Sequence, residues 1–271
     1  MGRALELISG SVIDSLNVVV AVTMASGDSL TVRNAPLDAD VRLLQLWADI
    51  QAATGMIRVR SPRLHDNVQG LRFQVPVSDC SPLLPWGVSQ KLYPQDTLIS
   101  ELQVNDAAGD LETIPLLIHY SNLPGADARL ATWEDVMRRM TGHIVTVENT
   151  ITAATGPNWT GAEAINAELD LLKANTDYAL LGYRVAVECA AVAWRGPDTG
   201  NLRLGGPGIE TQPELTSDWF KRLSLVFGIP LIPIFNSANK SGTLIDVVQD
   251  ENAAAVPVIS ILAEIGPTTV K

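Results

Sequence analysis

Short apolar runs rich in Val, Ile, Leu and Thr, each closed off by Gly, Pro, Asn or Asp, recur along this chain from about residue 18 to residue 265. Such punctuation leaves little room for long helices and is the pattern of an all-β sandwich or barrel. The first series is 18–23, 29–33, 56–60, 71–76, 97–104 and 114–120; the second is 143–150, 180–194, 201–204, 230–235, 243–248 and 256–265. Val18-Val19-Val20-Ala21-Val22 is continuously apolar instead of alternating, as expected of a strand buried on both faces. Composition agrees: 46% of the residues are hydrophobic and 18% charged, with 20 Gly and 16 Pro spread along 271 residues, so a folded body is expected throughout.

Four helices are expected. At residues 132–135, Thr-Trp-Glu-Asp reads as a capping box with Asp in the place of Glu, and Trp133, Val136, Met137 and Met140 follow at helical spacing up to Gly142. Thr160-Gly161-Ala162-Glu163 reads as a second box opening a helix to about Asn175. Residues 41–53 (VRLLQLWADIQAA) read as a third helix, ending near Gly55 before the strand at 56–60. That last arrangement has a partner in the second half, where 217–227 (SDWFKRLSLVF) reads as a helix ending at Gly228 before a strand at 230–234. The continuations run in step, Thr97-Leu98-Ile99 through NDAAGDLETIPLLIHY against Thr243-Leu244-Ile245 through DENAAAVPVISILAEI. This approximate repeat rests on the order of elements more than on letter identity, and needs an irregular insertion at 79–95 in the first half.

Two sandwich-like halves of this kind resemble the double jelly-roll major capsid proteins of tailless icosahedral viruses, including small phages with an internal membrane. The likeness runs over residues 16–265 and is one of architecture. It implies an all-β fold with a few short helices, in which residues 1–128 form one jelly roll with an N-terminal segment and 129–271 a second with a linking helix. It further implies a homotrimer of six-sided outline that builds an icosahedral shell, with minor capsid or penton proteins and an internal membrane as possible neighbours. The chain would be made in a host cytoplasm and end in a virion. Loops at 79–95 and 196–213 are then candidates for intersubunit contact, as are the aromatic residues in or beside loops, Trp86, Tyr93, Trp159 and Trp194. The same side chains would equally fill small cores beneath those loops.

No chemistry-bearing motif stands out, and neither catalytic residues, nor a cofactor, nor a metal site is expected. The three histidines, His65, His119 and His143, are far apart and read as surface or strand-end residues; no G-x-S-x-G or H-E-x-x-H occurs. Gly156 to Gly161 has the glycine spacing of a phosphate loop, but Ala162-Glu163 stands where Lys and Ser or Thr are needed. Asn105, Asp106 and Asp110 lack the ligand spacing of a calcium loop, and Asp250-Glu251 are adjacent and diverge. The glycines of 205–208 read as a turn between strands. Cys80 and Cys189 read as buried small hydrophobes. Thirty acidic against 19 basic residues, a formal charge of −11, argue against direct binding of nucleic acid. The remaining alternative is a carbohydrate- or receptor-binding β-sandwich, a virion spike or lectin, since exposed tryptophans stack on sugars.

Overall fold

The computed structural model describes the chain except residues 1, 26, 52–53, 65–67, 78–79, 105–108, 153–157, 250–254 and 267–271. The first half contains β1 (Ala4–Ile13), β2 (Val20–Ala21), β3 (Thr23–Met24), β4 (Val41–Leu46), β5 (Gly55–Arg60), β6 (Leu71–Val75), β7 (Gln90–Leu92), β8 (Ile99–Val104) and β9 (Leu111–Tyr120). The second contains β10 (Leu130–Ala131), α1 (Trp133–Arg139), β11 (Met140–Thr152), β12 (Thr160–Ala164), β13 (Asp177–Val185), β14 (Cys189–Arg195), β15 (Leu204–Gly208), α2 (Pro213–Thr216), α3 (Trp219–Phe227), β16 (Ile232–Asn236), β17 (Leu244–Val248) and β18 (Ala255–Ile265). The protein is therefore mostly β, with few short helices.

The strands form four antiparallel sheets: sheet I, β3-β1-β9-β4-β7; sheet II, β2-β8-β5-β6; sheet III, β12-β17-β14-β15; and sheet IV, β10-β16-β13-β18-β11. Each pairing joins strands of the same half. Setting aside the two-residue strands β3 and β10, the eight strands of either half fall into the same two orders, 1-8-3-6 in sheets I and IV and 2-7-4-5 in sheets II and III.

Side-chain alternation explains how the sheets stack. Along β1, Ala4, Ile8 and Val12 join the core between sheets I and II, whereas Leu5 and Leu7 join the core of the second half. On β9 Leu117 takes the second course, while Leu116 and Ile118 take the first. The outer face of sheet I is thus covered by sheet III, through contacts of β1 and β9 with β14 and β15. Four layers result, in the order II, I, III, IV.

This layering overturns the helix expected at 41–53. β4 occupies its first part, and Leu43, Leu44, Leu46, Trp47 and Ile50 are all fully buried. An all-apolar run suits a helix or a strand equally, and here it is a strand because both of its faces are covered: Val41 and Leu43 face sheet II, Leu44 and Trp47 the second half. The pairing of 41–60 with 217–234 read from the sequence consequently fails, and that alignment holds only in its latter part, where β8 and β9 match β17 and β18. The strand at 56–60 is the fourth of its half, while that at 232–236 is the sixth.

The insertion at 79–95 contains β7, and its approach is clamped by Gln45, whose side chain donates to the Leu84 carbonyl at 2.7 Å and accepts from the Leu84 N–H at 3.1 Å. The helix expected after Thr160 is instead the strand β12. Gly161 has φ +103° and Ala162 φ +45°, values no helix allows, and a Cβ on Gly161 would strike Ile151. The glycines of 205–208 lie within β15 and are fully buried. A side chain at Gly206 would collide with Tyr183 and Trp219, so close packing, not a turn, requires glycine there. β1 has no counterpart among the expected strands. α1 forms as expected, with the Thr132 hydroxyl accepting from the Asp135 N–H.

His119 is not a surface residue: it is 4% exposed on β9, and neither ring nitrogen has a hydrogen-bond partner. Burial, with Arg3 and Arg42 against it and Asp40 for it, lowers its pKa from 6.5 to about 4. The unfolded chain takes up this proton first, so the stability that neutral His119 supports is present above pH 6.5 and lost as pH falls towards 4. A His119→Phe variant is expected to lose less stability than the parent between pH 6.5 and 4.5, measured by urea denaturation across that range.

Candidate functional site

The seam between the halves collects much of the molecule's unusual chemistry. The Trp219 ring, at the start of α3, meets Trp47 edge-on at 6.0 Å and Trp86 at 5.5 Å, so two tryptophans of the first half grip one of the second. Each indole N–H buried here has a partner: Trp47 donates to the Ala190 carbonyl at 2.7 Å and Trp219 to the Gly205 carbonyl at 3.0 Å. Arg222 lies 5.4 Å over the outer face of Trp86. Behind Trp219, Phe220, Trp194 and Tyr183 continue the aromatic packing into the second half.

A polar clasp closes another part of the seam. Arg203 bonds Asp28 of the first half at 3.2 Å and Asp246 at 3.0 Å, and stacks on Trp159 at 5.0 Å. Trp159 itself donates to Asp28 at 2.7 Å, and the Leu7 N–H on the edge of β1 donates to the Arg203 carbonyl at 2.7 Å. Burial raises the Asp28 pKa, opposed by the bonds from Trp159 and Ser9 and by the charge of Arg203. Asp246 also receives Arg195 at 2.6 Å, so this carboxylate is held by two guanidinium groups.

The aromatic residues singled out in the sequence therefore divide. Trp194 is fully buried and donates to Ser260 at 3.1 Å across the core of the second half, so it offers no surface to another subunit. Its run, Cys189–Arg195, is a strand covered on both sides, which a tryptophan at a strand end does not reveal. Trp86 and Trp159 are partly buried and bind the halves of one chain together. Tyr93 is 38% exposed, flanked by Arg63 at 5.8 Å and Lys91 at 5.5 Å.

Donor groups of Asp49, Cys80 and Glu188 come within 4.8 Å of one another at the seam, the one such trio among the described residues. Two carboxylates and a thiol make a donor set of the kind that holds zinc. No sequence spacing announces it, because the three residues come from three segments and both halves. Of the other side chains considered in the sequence, His119 and His143 join no such group among the described residues, and His65, Asn105, Asp106, Asp250 and Glu251 lie outside those residues.

No protein-family model matches this chain, and no curated protein does. Among solved structures it is similar to the PBSX exported protein XepA, with 8% identity over 96% of this chain and 86% of that one at a TM-score of 0.27. It is also similar to the T=1 Penaeus vannamei nodavirus, with 12% identity over 98% and 100% at 0.22. A cupin 2 conserved barrel domain protein from Leptotrichia buccalis gives 12% identity over 95% and 89% at 0.17. Overlaps at these scores carry no weight for fold or function.

Proposed function

We propose that the chain is a structural, non-catalytic subunit built of two tandem jelly rolls, which trimerises and assembles into an icosahedral viral shell. The observation that carries this reading is the repeated pair of strand orders, 1-8-3-6 over 2-7-4-5, in both halves. Eight strands in two sheets with this wrap are the jelly-roll arrangement, common to capsid proteins, lectins and cupins. What favours assembly over ligand binding is the fusion. A lectin or cupin barrel works through the mouth or surface of a single roll, whereas here two rolls are welded face to face by Trp47, Trp86, Trp219 and the Arg203 clasp. The tryptophans that a sugar-binding reading would use, Trp86 and Trp159, are engaged in that weld.

Shell proteins bury extensive surface against copies of themselves, and a rigid two-roll block presents such surface without loop ordering. Sedimentation and electron microscopy of the purified chain test the proposal. The expected result is a stable trimer that forms shells or hexagonal sheets as concentration rises. A monomer at all concentrations, or a monomer retained by a glycan array, would overturn it.

A further inference from the structure

The chain's own seam sets the outer face of a 1-8-3-6 sheet, sheet I, on a 2-7-4-5 sheet, sheet III. One sheet of each order is left at the ends of the stack: sheet II of the first roll and sheet IV of the second. We infer that the outer face of sheet II of one copy docks on the outer face of sheet IV of the next, head to tail, and that this contact closes the trimer. The inference rests on the assembly reading above and adds which faces meet.

The two faces are complementary in charge. On sheet II, Arg58, Arg60 and Arg72 point outward, with Glu101 as the one carboxylate among the described residues of that face. Arg58 and Arg60 share Glu101 at 2.5 and 2.8 Å, so two guanidiniums already outweigh one carboxylate, and Arg72, exposed, adds to the excess of positive charge. Beside it runs a groove of about 370 Å³ floored by Met56, with Val68 68% exposed nearby.

On sheet IV, Glu148 of β11 points outward opposite Ile259 of β18, at a groove of about 390 Å³ walled by Glu168, Leu169 and Leu171. Leu169 is 57% and Leu171 48% exposed, although both are large and apolar. Glu148 and Glu168, the latter accepting from the Thr150 N–H, place two carboxylates at this groove, and Arg184 of β13, also paired with Ile259, stands on the same face, so the carboxylates are in excess by one.

In a chain of net charge −11, a face with excess arginine is unusual, and the far side of the same molecule carries a face with excess carboxylate and exposed leucines. Patches that complement each other but not themselves make heterologous contacts, which close into a ring when the rotation allows and rule out a two-fold dimer.

Charge reversal tests the assignment in the full chain. Arg72→Glu and Glu148→Arg are each expected to raise the trimer dissociation constant at least about tenfold, the lower end of measured couplings for close interfacial charge pairs. The double variant is expected to recover most of the loss, and the affinity of the parent to fall with added salt. Both positions are exposed, and circular dichroism confirms folding. As an independent readout, Val68→Cys with Leu171→Cys in one chain is expected to oxidise to covalent trimers, while either cysteine alone gives none. A parent trimer indifferent to both reversals, or covalent dimers from one cysteine alone, would overturn this pairing of faces and leave the assembly reading standing; a parent that stays monomeric would overturn both.

Discussion

Replacing Trp219 by alanine is expected to lower the unfolding free energy by about 3–5 kcal/mol, the usual cost of truncating a large buried aromatic. Trp219 is fully buried, touches Trp47 and Trp86 across the seam, and donates to the Gly205 carbonyl. Its removal opens a cavity where the two halves meet and leaves that carbonyl without its indole partner. Guanidinium denaturation followed by tryptophan fluorescence measures the loss. Because the second half's core includes Leu5, Leu7, Leu44 and Leu117 of the first, the parent is expected to unfold in one transition and the variant in two. A variant as stable as the parent would show that the aromatic cluster does not hold the seam.

Glu112 is expected to make the protein less stable as the solution becomes alkaline. This residue of β9 is fully buried; one carboxylate oxygen accepts from the Gln51 N–H at 2.9 Å and the other has no hydrogen-bond partner. Burial above all, with the nearby carboxylates of Asp14, Asp49 and Asp110, raises its pKa from 4.5 to about 8. The folded chain therefore holds this proton more tightly than the unfolded one. No penalty exists below pH 4.5; it accumulates as pH rises from 4.5 to 8, and is complete above 8. Its ceiling is about 4–5 kcal/mol, at about 1.4 kcal/mol for each pH unit of the window. A Glu112→Gln variant, neutral at every pH, is expected to gain on the parent steadily across that window, with equal stability near pH 4. Denaturation midpoints measured in parallel isolate the effect, since all other titrating groups are shared. A constant difference between the two would place the Glu112 proton elsewhere.

Much of the β architecture is legible in the residues themselves. The runs at 56–60, 71–76, 97–104, 114–120, 243–248 and 256–265 are strands because β-branched and apolar residues stand between turn formers, a local signal. The Thr132 cap and the helix behind it are equally local, each requirement being met within a turn of chain. Long-range burial is what the sequence conceals. Residues 41–46 carry a pattern that suits a helix and a strand alike, and only sheet II on one side with sheet III on the other makes them a strand.

The same reason governs the functional residues. That tryptophans fell in or near loops was readable, but whether each would face another subunit depended on what folded over it: Trp194 turned inward, and Trp86 and Trp159 were taken by the second half and the first. The Asp49, Cys80 and Glu188 trio and the Arg203 clasp join residues up to 175 positions apart, beyond any motif. The sequence by itself determined a β-rich chain of many short strands with an acidic balance, because backbone propensity and turn chemistry act over a few residues. The tertiary structure alone decided which sheet faces are covered and which remain open, because burial depends on surfaces brought together from both halves of the chain.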